Sequence, residues 1–397
     1  MDKDKLQELL DRELSDTGDT ALSDFVSLLV SRCQQQNIVP LGVALAASFD
    51  LLVGMFYYQK TPERGWLLCS CGDEQYYFPF VNVCPRCAIE GEPFYHKAGK
   101  SQSANIGLAS IKALILFIKE WFLVNNSHLK VCKGEEPVDL FIVDETNQTI
   151  LLAEVKSAPL LTLPLIINPE NPNADSGTHE TLTMSTLRGA NMGVLLPILK
   201  ADGWKVGTWS FSKPHDKSDL YFVEMLSELA KNDDFFSNYL RTWQDAFVAY
   251  FRKDKSASIF WLTNGCGVPS PVPVDWPDRS GSGRETISDG KTSVGLDRTD
   301  DIKKGVYQLL KLRMAPISQN YTVKVGIVSN AHAARHHEDY IASLEDIMWL
   351  KSTENDVTVI GQLPAQTPVY NLFDGIITFT KTYTRDSWVN RNFDFNG

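Results

Sequence analysis

Two apolar runs, VDLFIV at 138–143 and TILLAEV at 149–155, flank the polar stretch Glu145-Thr146-Asn147-Gln148. Branched and aromatic residues broken by a short polar turn predict two paired strands. With the turn centred between Thr146 and Asn147, Asp139 falls directly opposite Glu154. Facing residues on adjacent strands have Cβ atoms about 5 Å apart. The two-residue alternation of a strand puts Lys156 on the face of Glu154, and the Val155 carbonyl sits between them.

Two carboxylates at that separation can share one hard cation. Mg²⁺ takes oxygen ligands and keeps several waters, so Asp139, Glu154 and the Val155 carbonyl form a candidate Mg²⁺ set. A metal-bound water can attack a phosphodiester while the metal stabilises the charge that develops. Lys156 can orient that water or share the stabilisation. Acids placed among Phe141, Ile142, Leu151 and Leu152 carry a desolvation cost that a cation would balance. The bland alternative is an ordinary hairpin, with Asp139 at an edge and a Glu154–Lys156 surface pair.

A long helix is predicted before the hairpin, at 104–124, with Ile111, Leu114, Ile115, Ile118 and Phe122 in one stripe. Helix, strand with Pro137-Val-Asp139, then strand with Glu154-Val-Lys156 resembles the PD-(D/E)xK nuclease superfamily. That superfamily includes most type II restriction endonucleases. The resemblance covers residues 104–168, and the first motif carries one inserted residue. It implies that Asp139 and Glu154 bind Mg²⁺ and that Lys156 assists the attacking water. Some members add an acid from the preceding helix. Glu120 stands in that place, and reads equally as a solvated helix charge. Pro273-Val-Asp275 with Asp289-Gly-Lys291 also fits the pattern, but no apolar strand there would hold the acids face to face.

Cys69-Ser-Cys71 and Cys84-Pro-Arg-Cys87 stand twelve residues apart. Two short cysteine knuckles on a hairpin supply the tetrahedral thiolates of a structural Zn²⁺, and predict a zinc ribbon. Coincidence or a redox pair are the alternatives. Cys33, Cys132 and Cys266 are isolated and read as buried thiols. Cysteines used this way point to a reducing cytoplasm.

The chain has 397 residues and a formal charge of −11. Its length suggests two or three domains. Its acidity excludes a polyanion binder acting through bulk charge, and leaves open a local basic surface. Arg279, Arg284, Lys291 and Arg298, with Trp276 nearby, lie in or beside the Gly-, Pro- and Ser-rich stretch 264–290. They suit contacts to phosphates or guanine edges, or a solvated loop. Lys303, Lys304 and Lys311 around Tyr307-Gln308 make a second basic surface, more simply the wet side of a helix. No signal peptide or membrane span is expected: the N-terminus is acidic, and Asp50 interrupts the apolar stretch 41–58.

Further along, a helix is predicted at 299–314, capped by Thr299 with Asp300 and Asp301 in its first turn. A βαβ unit follows: a strand at 322–329, a helix opened by His332, His336 and His337 and reaching about Lys351, and a strand at 357–360. Residues 375–380 add another strand. Trp243, Phe247, Tyr250 and Phe251 are spaced as core.

The expected architecture is mixed α/β: a helical region at 1–65, a small four-cysteine zinc ribbon at 66–98, a restriction-endonuclease-like core at 99–262, and a C-terminal α/β region at 263–397 for DNA recognition or dimerisation. The expected activity is Mg²⁺-dependent, sequence-specific cleavage of double-stranded DNA by a cytoplasmic homodimer, as a type II restriction enzyme. The alternatives are another nuclease of the superfamily, acting in repair, transposition or modified-DNA cleavage, or a non-catalytic zinc-stabilised DNA-binding protein.

Overall fold

The computed structural model describes Glu8 and residues 20–60, 66–71, 74–77, 85–90, 103–168, 179–180, 191–211, 221–264, 293–314, 321–350 and 367–395. Two helices come first, α1 (Thr20–Gln35) and α2 (Leu41–Lys60). The strand pair β1 (Trp66–Cys71) and β2 (Glu74–Tyr77) follows, then α3 (Pro85–Glu90) and the long α4 (Ser103–Val124). After α4 come β3 (Lys130–Lys133), β4 (Leu140–Asp144) and β5 (Thr149–Val155). Next are β6 (Leu165–Asn168), β7 (His179–Glu180), β8 (Asn191–Lys200) and β9 (Gly203–Ser210), with α5 (Tyr221–Lys231) and α6 (Asp233–Arg252) behind them. The last part holds α7 (Thr299–Met314), β10 (Thr322–Ser329), α8 (His337–Tyr340), β11 (Met348–Trp349), β12 (Tyr370–Asn371), β13 (Gly375–Thr378), β14 (Tyr383–Thr384) and α9 (Ser387–Phe393).

The fold is mixed α/β, with two six-stranded sheets. One runs β7-β1-β2-β6-β8-β9, and all its pairings are antiparallel. The other runs β14-β13-β10-β5-β4-β3. In it β3, β4 and β5 form an antiparallel meander. β10 lies parallel to β5, and β13 parallel to β10.

Side-chain alternation divides this second sheet between two cores. Leu140, Ile142, Leu151, Ala153 and Val155 join Leu114, Phe117 and Ile118 of α4, together with buried residues of α1, α2, α5 and α6. Phe141, Val143, Ile150 and Leu152 face the other way, against Ile302, Leu309 and Leu312 of α7. Every residue of β4 and β5 is buried, as expected of strands covered on both faces. α2 is apolar around its circumference and is wrapped by α1, α4, α5 and α6, which makes it a buried helix. Among the described residues no helix is long and apolar enough to cross a membrane.

β10 pairs with β5 over its whole length, from Thr322 beside Thr149 to Val328 beside Val155. The boundary expected between 262 and 263 therefore passes between strands of one sheet. The βαβ unit also differs from expectation. β13 is the next parallel partner of β10, and the strand expected at 357–360 lies outside the described residues. Between the strands the expected helix shrinks to α8 and one 3₁₀ turn, Ala342–Leu344. Tertiary partners take its backbone: His332 N–H donates to Thr380 Oγ1, Ala331 O accepts from Leu296 N–H, and Met348 pairs with Asn371. Trp243 and Tyr250 are core as expected, Phe247 is partly buried, and Phe251 stands 52% exposed in the last turn of α6.

Candidate active site

In the β4–β5 ladder Leu140 pairs with Ala153 and Asp144 with Thr149. The next position outward sets Asp139 against Glu154. Asp139 N–H donates to Ala153 O at 3.2 Å, and its carboxylate Oδ2 accepts Val155 N–H at 2.9 Å. β5 thus fixes this aspartate through both backbone and side chain. Gly134 N–H donates to Asp139 O at 2.8 Å. A Cβ at Gly134 would fall 2.0 Å from Val138 O, so glycine is required where the chain passes this close to the aspartate.

Glu154 is 5% exposed. Lys156 Nζ donates to Glu154 Oε1, which puts the lysine on the glutamate's side of the strand, as alternation requires. The same ammonium lies 3.5 Å from Val155 O. Lys156 N–H donates to Val328 O at 3.0 Å, the last rung toward β10. Burial pushes the Glu154 carboxyl above the usual carboxylate range. Lys156 works against that shift, and the neighbouring Asp139 carboxylate adds to it. Two acids on adjacent strands, one reluctant to ionise, mark a place where like charges meet. A cation or a shared proton relieves such a pair.

The available donors are all oxygens. Val155 N–H anchors Oδ2 of Asp139, Lys156 anchors Oε1 of Glu154, and the Val155 carbonyl stands beside the ammonium. This set suits a hard cation that keeps waters in its shell. Among the described residues no group of three or more His, Cys, Asp or Glu side chains is gathered for a metal, so the pair is the whole protein carboxylate contribution they offer.

Glu120 does not join the pair. Alternation places Asp139 and Glu154 on the sheet face of Phe141 and Leu152, toward α7, whereas α4 packs on the opposite face. Glu120 is not a solvated helix charge either. It is 4% exposed and accepts hydrogen bonds from Ser23 and from Ser27, the latter at 2.6 Å. It ties α4 to α1.

Of the expected basic contacts, Arg298 is described. It lies just before α7, 3.9 Å from Asp300 Oδ2, and its carbonyl accepts the N–H groups of Asp301 and Ile302. Arg279, Arg284 and Lys291 lie outside the described residues, as do Trp276 and the second motif match at 273–291. Cys69 and Cys71 sit on β1, opposite Tyr76 and Glu74 of β2. Cys87 lies in the first turn of α3, and Cys84 is outside the described residues. Cys33 is buried as expected, beside Ser48 Oγ at 3.1 Å, and burial pushes its thiol up to about 12. Cys132 is buried too, and Cys266 lies outside the described residues.

His336 and His337 stand at the start of the short α8, and His332 lies before it. His332 and His337 bond ring to ring at 2.9 Å, and burial lowers His332 to about 3, so it stays neutral.

Sequence reasoning missed the groups that brace the chain just beyond Lys156. Asn330, fully buried at the end of β10, bonds both backbone groups of Ala158. Asp50 of α2 accepts Leu160 N–H at 2.8 Å, Leu161 N–H at 2.9 Å and Trp243 Nε1–H at 2.6 Å. A lone acid inside an apolar helix, and an Asn directly after the apolar run VGIVS, were the visible signals. Compared with known proteins, the chain matches no family model, and no curated protein or solved structure is significantly similar to it.

Proposed function

We propose that this protein is a Mg²⁺-dependent endonuclease of double-stranded DNA, with Asp139, Glu154 and Lys156 as its catalytic residues. One observation carries the reading. Asp139 and Glu154 face each other across β4 and β5, with Lys156 bonded to the glutamate. Asp139, Glu154 and the Val155 carbonyl would hold Mg²⁺, which when bound acidifies a water and stabilises charge on the phosphoryl group. Asp139 arrives preorganised, because the Val155 N–H fixes its carboxylate. Lys156 keeps an ammonium beside Glu154, where it can orient a water or neutralise a phosphoryl oxygen.

Within that class, the reading is a type II restriction enzyme acting as a homodimer on a palindromic site, since two-fold targets match two-fold proteins. Much of the chain lies beyond the hairpin and is available for target reading. Cys69, Cys71, Cys84 and Cys87 would hold a structural Zn²⁺, and Arg279, Arg284, Lys291 and Arg298 would meet the DNA.

A plasmid digest tests this, with Mg²⁺ or EDTA, on wild type and Glu154→Ala. Discrete fragments that require Mg²⁺ and vanish in the variant support a sequence-specific endonuclease. A smear supports a non-specific or repair nuclease on the same site. No cleavage of methylated or unmethylated DNA, with binding retained, overturns the catalytic reading in favour of a zinc-stabilised DNA-binding protein.

A further inference from the structure

The parallel ladder between β5 and β10 ends in an unusual way. Lys156 N–H donates to Val328 O at 3.0 Å. Parallel rungs recur every second residue, so the next would run from Ala158 N–H to the backbone carbonyl of Asn330. Instead the Asn330 side chain takes it. Its Oδ1 accepts Ala158 N–H at 3.2 Å, and its Nδ2 donates to Ala158 O at 3.0 Å. The carboxamide copies a peptide unit and closes a two-bond clamp on Ala158. Gly295 N–H adds a third bond, to Ala158 O, at 2.9 Å. Gly295 has φ of +53°, and a Cβ there would fall 2.3 Å from Ala331 O, so the third strut also depends on its residue type.

We propose that Asn330 is a positioning residue that sets Lys156 against Glu154, by clamping the chain two residues beyond the lysine. This rests on the nuclease reading of the same site. Without the clamp, the Lys156 rung to Val328 O becomes the last bond to β10, and the backbone that carries the lysine loses the two bonds that hold it just beyond that rung. Asn330 is fully buried, so water cannot take over either of its bonds. Placement matters because the ammonium works at short range: a shift of about 1 Å in a reacting group can cost roughly 100-fold in rate.

The test uses full-length Asn330→Leu and Asn330→Ala. Leucine keeps much of the volume and loses both bonds to Ala158; alanine loses the bonds and the volume. Three quantities are compared with wild type: kcat and KM for Mg²⁺-dependent plasmid cleavage, the pH profile of kcat, and the melting temperature. The expected result is a kcat lower by roughly 100-fold with little change in KM. The acid limb should move to higher pH, because a carboxylate that loses its cation holds its proton more tightly. A purely structural role lowers the melting temperature and leaves the kcat of the folded fraction and its acid limb in place, which overturns the proposal.

A second readout needs no activity. Hydrogen exchange of the Lys156 amide, which is bonded to Val328 O, is followed by NMR. Faster exchange in the Asn330 variants, beyond that of core amides, supports the clamp, and unchanged exchange overturns it. If wild type itself cuts nothing, the nuclease reading has failed, and this exchange still decides whether Asn330 holds the backbone that carries the lysine.

Discussion

The two ends of the β4–β5 hairpin each bury a carboxylate, and they treat it in opposite ways. At the turn end, Asp144 is 1% exposed and fully served by donors. Asn147 N–H and Nδ2–H reach it at 2.8 and 2.7 Å, Trp388 Nε1–H at 2.8 Å, and the His128 ring at 3.0 Å. Burial alone would raise its pKa, but these bonds outweigh it and hold the carboxyl down at about 2. At the open end, Glu154 is nearly as buried, yet meets one ammonium and a facing acid, and its carboxyl is held above the ordinary range. A buried acid with a complete donor set is structure. A buried acid that faces another acid and is held above its ordinary range is a candidate functional site. The hairpin shows both in one pair of strands.

Substitutions at the two ends should therefore separate activity from stability. Glu154→Gln or Asp139→Asn should lower Mg²⁺-dependent cleavage by about 100- to 1,000-fold while leaving the protein folded, measured by plasmid turnover beside a melting curve. Loss of stability without loss of cleavage would erase the contrast. Asp144→Asn should do the reverse, costing about 1–3 kcal/mol in denaturant unfolding through unmatched donors, with cleavage by the folded protein unchanged. Gly134→Ala should cost about 1–3 kcal/mol from overpacking against Val138 O, and should also impair cleavage, because the strained segment holds Asp139.

The smallest effect is in the pH dependence, where the signs differ. Asp144 is lowered on folding, so its contribution is complete above the ordinary carboxylate value of 3.8 and is lost as pH falls toward about 2. Glu154 is raised, so its contribution is present below its unfolded pKa and is lost as pH rises through the folded one. Asp144→Asn should remove part of the acid destabilisation of wild type. Glu154→Gln should gain stability relative to wild type at neutral pH and lose that advantage on acidification. Melting curves across pH check both, and equal slopes in the two variants would dissolve the distinction.

How much of this was legible in the sequence follows from the range of each contact. β5, α7 and β10 fall where their patterns place them, at Thr149–Val155, Thr299–Met314 and Thr322–Ser329. The Asp139–Glu154 register was legible because a short turn and two doubly buried strands leave little room to slip. Contacts between distant segments were not. Nothing local announces that Trp388 will serve Asp144, that β10 will lie beside β5, or that Ser23 and Ser27 will absorb Glu120. Residues 330–350 show the same limit, since side-chain bonds and the β11–β12 pairing outcompete a helix that spacing alone favours. Asn330 shows in the sequence as a polar residue ending an apolar run, but its partner Ala158 does not, because it lies far away in sequence.

The central claim is that Asp139 and Glu154 form a cation site, and ligand linkage tests it without assuming a substrate. The melting temperature of wild type, Glu154→Gln and Asp139→Asn would be measured with and without Mg²⁺. A cation that binds the folded state alone raises stability by about 2.7 kcal/mol at a hundredfold excess over its dissociation constant. The account predicts a Mg²⁺-dependent rise in wild type that both variants lose. A rise of equal size in all three proteins, or none in wild type, would contradict it.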